Sequence, residues 1–80
     1  MPKLKILSGQ EIIKIFIGFD FSMAAQKGSH IKLIRILGGT RQTLTIPNHS
    51  ELDKGTIKAI YRQALVYVSE SEIRPYFYSE

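Results

Sequence analysis

The sequence predicts an α+β fold in which three antiparallel strands lie between two helices, in the order α-β-β-β-α. Two segments, one near residue 12 and one near residue 60, have the apolar spacing of an amphipathic helix. Between them lie segments of alternating or β-branched apolar residues that are separated by glycine-containing turns. Strands joined by short turns pair antiparallel, and the simplest packing places both helices on one face of the sheet.

Length and composition indicate a single small globular domain over residues 1–80. Apolar residues make up 44% of the chain and charged residues 22%, which is typical of a folded protein and not of a disordered tail. The absence of cysteine excludes disulfides, thiolate zinc sites and a cysteine nucleophile. No apolar run approaches the ~20 residues that span a bilayer, and no signal-peptide pattern opens the chain. We therefore expect a cytoplasmic protein without a membrane partner.

The first helix is predicted over residues 9–18, ending near Gly18 or Asp20. Ser8 and Glu11 have the spacing of a capping box. The apolar face that follows consists of Ile12, Ile13, Ile15 and Phe16. Beyond this helix, apolar residues alternate with polar or small ones in the manner of a strand, at Phe19, Phe21 and Met23, and Phe19 and Phe21 are expected in the core.

A hairpin is predicted after the turn at residues 26–29. Its first strand comprises residues 30–37, which are rich in β-branched side chains, and Gly38-Gly39 forms the tight turn. Its second strand comprises residues 43–46 and ends at Pro47. The alternation slips within the first of these strands, because Ile31 and Leu33 share one face while Ile34 and Ile36 share the other. Either this strand is buried on both sides near its end, or a bulge resets the register.

The second helix is predicted to begin after Asp53, which can cap it. Its apolar face comprises Ile57, Ile60, Tyr61, Ala64 and Leu65. A basic stripe lies on another face, formed by Lys54, Lys58 and Arg62. In the tail, Ser69 and Glu72 repeat the capping-box spacing, but Pro75 is expected to interrupt a helix there. The tail is therefore not expected to form a clean third helix.

The net charge of +4 is unevenly distributed. Residues 1–69 hold ten basic and four acidic residues, a balance of +6, whereas residues 70–80 hold one basic and three acidic residues, a balance of −2. A basic body indicates a polyanionic partner, of which nucleic acid is the commonest.

The two histidines are the candidates for proton transfer near neutral pH. His30 follows Gly28 and Ser29 at the opening of a strand and has Lys27 and Lys32 nearby. In this setting a histidine can deprotonate a ribose 2′-hydroxyl while cations stabilise charge on the phosphate, although a solvent-exposed histidine at a turn is the plainer interpretation. His49 is interpreted as a loop histidine that helps to cap the second helix. Two histidines without a third ligand at a recognisable spacing do not predict a metal site.

Several short blocks together resemble the HicA (YcfA-like) toxin family. They lie in order within residues 7–65, whereas residues 66–80 diverge, and they read Leu7-Ser8-Gly9-Gln10-Glu11, Gln26-Lys27-Gly28-Ser29-His30, Thr45-Ile46-Pro47-Asn48-His49, Lys54-Gly55-Thr56-Ile57 and Arg62-Gln63-Ala64. The chain departs from the family in having Ala25 where members often carry an arginine, and in lacking a glycine after Ala64.

This resemblance implies a double-stranded-RNA-binding-domain-like fold and a ribonuclease toxin that cleaves messenger RNA and is neutralised by a HicB-like antitoxin. It implies that His30 is the catalytic histidine, and that Pro47 and His49 belong to the fold or to the rim of the site. We expect no metal and no cofactor in the reaction. The expected RNA-binding residues are Lys27, Gly28, Ser29, Lys32, Arg35, Lys54 and Lys58.

Two other functions fit the same residues. A non-catalytic RNA-binding module of the same fold would use lysines at the start of its second helix to contact phosphates, as Lys54 and Lys58 could do. The second of these functions is that of a purely structural partner of another protein. In that case the basic charge of the chain is incidental. Catalysis requires His30, whereas binding does not.

Overall fold

The computed structural model describes residues 2–79 and contains a three-stranded antiparallel sheet, a separate two-stranded sheet and three helices. The helices and strands, in chain order, are β1 (Lys3–Leu4), α1 (Gly9–Ile17), β2 (Ser22–Lys27), β3 (His30–Leu37), β4 (Thr40–Pro47), α2 (Lys54–Ala64), α3 (Glu70–Phe77) and β5 (Tyr78–Ser79). The predicted α-β-β-β-α order is confirmed from α1 to α2, with β3 as the central strand of the sheet. No helix among residues 2–79 has the length and apolar character needed to cross a membrane.

The N-terminus of α1 forms the capping box that the sequence predicts. The Ser8 hydroxyl accepts a hydrogen bond from the Glu11 amide at 3.1 Å, and the Ser8 amide donates to the Glu11 carboxylate at 2.9 Å. These bonds from Ser8 hold the pKa of Glu11 below its usual value. The capping box therefore satisfies backbone donors that the first turn of a helix leaves free.

The sheet is regular along β3 and β4 and irregular along β2. All eight residues of β3 pair with β4, whereas the pairing of β2 with β3 shifts between Met23 and Ala25. The bulge therefore lies in β2, so a bulge within β3 does not explain why the alternation of apolar residues slips along that strand. Ile34 is half-buried and Ile36 is exposed, so these two residues occupy the open face of the sheet.

One face of the sheet carries the core and the other face is open. Ile31 and Leu33 of β3 and Leu44 and Ile46 of β4 are buried against α1 and α2 in a single apolar cluster. On the opposite face His30 and Lys32 are exposed. This one-sided burial explains why apolar residues alternate with polar ones along β4. Phe21 and Tyr61 are buried as predicted, while Phe19 is half-buried against the core.

The expectation of a broken tail is wrong. Residues 70–77 form α3, which continues through Pro75 because Ile73 and Phe77 are fully buried in the core. Pro75 removes one hydrogen bond, to the carbonyl of Ser71, and Ser71 is exposed, so water can satisfy that oxygen. The helix begins after Ser69 as the sequence pattern indicates. However, the Ser69 hydroxyl bonds to the Glu72 side chain instead of capping the backbone.

Arg35 connects three parts of the chain through its guanidinium group. Nε donates to the Gln42 side chain at 2.7 Å, one Nη donates to the Phe19 carbonyl at 2.9 Å, and the other Nη donates to the Tyr67 carbonyl at 3.1 Å. The guanidinium carbon lies 4.8 Å from the centroid of the Phe21 ring. Arg35 therefore joins β4, the α1–β2 connection and the α2–α3 connection.

Replacing Arg35 with alanine is expected to lower the free energy of unfolding by about 2 kcal/mol or more, because Gln42 and two carbonyls lose a charged donor. Urea denaturation followed by circular dichroism measures this difference. Arg41→Ala is the matched control, since Arg41 lies exposed on the adjacent strand and is expected to change stability by about 0.5 kcal/mol or less. Equal losses in the two variants would contradict a structural role for Arg35.

Candidate active site

His30 lies at the first position of the central strand, on the open side of the sheet. It pairs with Lys27 of β2 on one side and with Pro47 of β4 on the other. Its side chain is exposed. A histidine at this place is accessible to a large substrate, and the lysine across the strand places a positive charge next to it.

The turn that precedes His30 depends on Gly28. Gly28 has a φ of 59°, a conformation that residues with a Cβ rarely adopt. No heavy atom lies within 4 Å of the position that a Cβ would take. The glycine is therefore required by the backbone conformation of the hairpin, and the space beside the turn is open to a ligand.

A short segment at the end of β4 is tied to this turn. The Asn48 amide donates to the Ser29 carbonyl at 2.6 Å, and the Asn48 side chain accepts a hydrogen bond from the Gln10 side chain at 2.8 Å. The His49 carbonyl accepts a hydrogen bond from the Gly9 amide at 2.9 Å. Residues 47–49 therefore join the start of α1 to the residue that precedes His30, which agrees with the expectation that Pro47 and His49 belong to the fold or the rim.

Gly9 makes this connection possible because the backbone of residues 47–49 passes directly against it. A Cβ on Gly9 would overlap the carbonyl oxygen of Pro47 and lie 2.9 Å from the Cα of Asn48. In the sequence, Gly9 is distinguished only as part of the family-like block at residues 7–11. No local pattern indicates a contact between residues 9 and 47, because it depends on how α1 docks on the sheet.

A groove of about 470 Å³ lies between the β4 edge and α2, with His30 on its rim. Thr45 and Pro47 line it from β4. Its α2 side includes Asp53, Ala59 and Gln63. No sequence pattern predicts that Asp53, Ala59 and Gln63 belong to this site, because only the packing of α2 beside β4 brings them near His30.

The predicted RNA-binding cations fall into separate groups. Lys27 and Lys32 are exposed on the same side of the sheet as His30. Lys54 and Lys58 line a different groove of about 550 Å³, together with Lys3 and Tyr78. This second groove shares no α2 residue with the groove beside His30. The structure therefore does not unite all the predicted cations around His30.

Arg35 also lies apart from His30, toward the other end of β3. Each of its three nitrogens donates to an acceptor within the protein, as described above. A guanidinium that is held in this way is a poor candidate for a phosphate contact, so we leave Arg35 out of the proposed RNA surface.

Asp53 supplies a fixed negative charge at the α2 end of the groove. Its carboxylate accepts a hydrogen bond from the Thr56 amide at 2.7 Å and caps the helix. This bond from Thr56 holds the pKa of Asp53 below its usual value, so the group is ionised at neutral pH.

Among residues 2–79, no three or more His, Asp or Glu side chains are grouped so that they could hold a metal ion.

A comparison with known protein families gives a match over most of the chain. The family described as "HicA toxin of bacterial toxin-antitoxin" matches residues 9–66 of the 80-residue chain. No curated protein and no solved structure matches the chain. The matched region contains α1, the whole three-stranded sheet and α2.

Substituting Gly9 with alanine is expected to destabilise the fold by about 1–3 kcal/mol, because the added methyl group overlaps the Pro47 carbonyl. Thermal and urea unfolding measure the effect. Gly55→Ala is the matched control. The nearest atom to its added Cβ lies at 3.5 Å, and alanine in α2 is expected to stabilise the helix by up to about 1 kcal/mol. If both variants are as stable as the parent protein, the close contact at Gly9 does not constrain the fold and the prediction is wrong.

Proposed function

Because the chain belongs to the HicA toxin family of bacterial toxin-antitoxin systems, we propose that it is an endoribonuclease that cleaves messenger RNA, with His30 as its catalytic residue. The observation that carries the proposal is the exposed position of His30 beside Lys27 on the open side of the sheet, at the rim of the groove between the β4 edge and α2. An extended RNA strand can reach this site without any opening of the protein.

In the proposed reaction, neutral His30 removes the proton from a ribose 2′-hydroxyl. The 2′-oxygen then attacks the adjacent phosphorus, and the bond from phosphorus to the 5′-oxygen breaks. The 5′-oxygen takes a proton from water, and His30 returns its proton to the hydroxide that remains, so the products are a 2′,3′-cyclic phosphate and a 5′-hydroxyl. The exposure of His30 supports water as the proton source, because solvent reaches the site directly.

Lys27 and Lys32 support the same reaction through their charge. As the 2′-oxygen attacks, negative charge increases on the non-bridging phosphate oxygens, and a nearby ammonium group stabilises it. Lys27 lies across the strand pair from His30, and Lys32 lies two residues further along β3. Ser29 contributes a hydroxyl, and Gly28 leaves open space for the backbone of the RNA.

The proposal includes a cognate antitoxin of the HicB type. Membership of a toxin-antitoxin family implies an antitoxin partner, and the HicB type is part of the proposal. Within residues 2–79, no helix or loop of this chain covers His30, whose side chain is exposed. Control of the activity is therefore expected to come from a second protein that lies over this surface.

A non-catalytic RNA-binding module is the alternative, and one observation favours it. Lys54 and Lys58 lie at the start of α2 on a side of the helix that is separate from the groove beside His30. Lysines at the start of the second helix contact phosphates in RNA-binding domains of this kind. RNA binding through this region needs no histidine.

Replacing His30 with alanine is expected to reduce RNA cleavage at least about 100-fold, which is the contribution of a general base. Growth arrest on expression is expected to disappear. The fold and the affinity for RNA are expected to stay within a few-fold of the parent protein, since the His30 side chain is exposed. Cleavage of a labelled RNA by purified protein measures the rate.

His49→Ala is the matched control for this experiment, because His49 is also an exposed histidine but is not part of the groove lining. It is expected to retain cleavage within about threefold, and the same is expected of the parent protein in excess EDTA. Equal cleavage by the parent and His30→Ala would refute the catalytic assignment. A requirement for added magnesium would refute the metal-independent mechanism.

Lys54 and Lys58 are expected to contribute to RNA affinity through phosphate contacts alone. In a His30→Ala background, replacing both with alanine is expected to make the negative slope of log affinity against log salt less steep, by about 0.7 per lysine for a single strand. The Lys27 and Lys32 pair, replaced in the same way, provides the comparison. If the slope changes only when Lys27 and Lys32 are replaced, the groove beside Lys54 does not hold RNA.

A further inference from the structure

We infer that the groove beside His30 is a nucleobase site, and that it favours a base with an exocyclic amino group over uracil. This inference rests on the proposed function, because it names the part of the substrate that the same site recognises. It goes beyond that function in assigning base selection to α2, and specifically to Asp53.

The dimensions and walls of the groove suit a planar heterocycle. Its volume of about 470 Å³ lies within the range of about 300–1,000 Å³ that is usual for small-molecule sites. Pro47 and Ala59 supply apolar surface on which a base can pack. Polar side chains stand around this surface, at Thr45, Asp53 and Gln63, where they can reach the edge of a base.

Charge determines which part of a nucleotide enters the groove. Asp53 is negative at neutral pH and caps the N-terminus of α2, so the helix end is already occupied by an anion of the protein itself. A phosphate in the groove would be repelled by this carboxylate. The favourable charge for a phosphate lies on the other side of His30, at Lys27. The phosphate is therefore directed toward Lys27 and the attached nucleoside toward α2.

The hydrogen-bonding capacity of Asp53 determines which bases fit. An ionised carboxylate only accepts hydrogen bonds. One of its oxygens, Oδ1, accepts from the Thr56 amide, and within residues 2–79 the other oxygen has no side-chain or backbone donor. Adenine, cytosine and guanine each carry an exocyclic amino group that can donate to it. Uracil has a carbonyl oxygen in place of that group, and its donor on the pairing edge, N3–H, lies between two carbonyl oxygens that an ionised carboxylate repels. Thr45 and Gln63 can both donate and accept, so they do not discriminate in this way.

The test uses Asp53→Asn in the full chain. Asparagine caps helices about as well as aspartate, so α2 is expected to remain intact, which circular dichroism and thermal melting verify. The substrates are short RNAs in which one nucleotide next to the only cleavable ribose is varied. The parent protein is expected to cleave the best amino-bearing substrate about tenfold more efficiently than the uracil substrate, measured as kcat/KM. In Asp53→Asn this ratio is expected to fall to near one or to invert, since the amide can donate to uracil.

Glu51→Gln is the matched control, because it removes the same charge from an exposed acid that lies outside the groove lining. It is expected to preserve the base preference. A parent protein without preference, or an Asp53→Asn variant that keeps it, would overturn the inference while leaving the ribonuclease proposal intact.

Binding provides a readout that does not depend on cleavage. In His30→Ala protein, titration with adenosine, cytidine, guanosine and uridine monophosphates is expected to shift the amide resonances of Thr45, Ala59 and Gln63, with uridine the weakest. If the parent protein cleaves no RNA, the proposed function fails, and this titration still decides the site. Shifts at other residues, or equal affinity for uridine, would overturn the inference.

Discussion

The close contact at Gly9 is the constraint on which the site depends. The first residue of α1 must lack a side chain for the backbone of Pro47 and Asn48 to pass against it. This contact lets the Gly9 amide bond to His49 and leaves Asn48 in reach of Ser29. One close approach of two backbones thus fixes the start of α1, the end of β4 and the turn before His30 relative to one another. The loop that leads to α2 departs from this junction, so the width of the groove also depends on it.

Arg35 stabilises the other end of the sheet in a comparable way. A partly buried guanidinium is costly unless its donors are satisfied, and here all three nitrogens have acceptors and an aromatic ring lies beneath the group. The interaction connects β3 to β4 and to the segments that follow α1 and α2. The two ends of β3 therefore serve different purposes. One carries an internal cation that maintains the fold, and the other presents His30 and Lys32 to solvent.

The one-sided sheet has a consequence for how the proposed site could be covered. All of the buried strand residues face α1 and α2, so the opposite face of the sheet has no covering layer within residues 2–79. An open face suits a long substrate, but it gives the chain no means of closing its own site. This arrangement is consistent with membership of a toxin-antitoxin family, in which a second protein restrains the toxin. Lys54 and Lys58 are separate from His30, so the proposed RNA contact and the proposed cleavage can involve different parts of the surface.

The sequence by itself determined the local structure, because local structure depends on neighbours in the chain. The capping box at Ser8, the glycine turns and the apolar face of α2 each follow from residues a few positions apart, and His30 stood out beside its basic neighbours. Only the tertiary structure decided which distant residues meet. Burial of Ile73 and Phe77 keeps α3 helical despite Pro75, and the guanidinium of Arg35 turns to the interior instead of the solvent. The docking of α2 beside β4 places Asp53 near His30 while Lys54 and Lys58 face another groove. These outcomes depend on packing between segments up to dozens of residues apart, whose free energy no short sequence pattern contains.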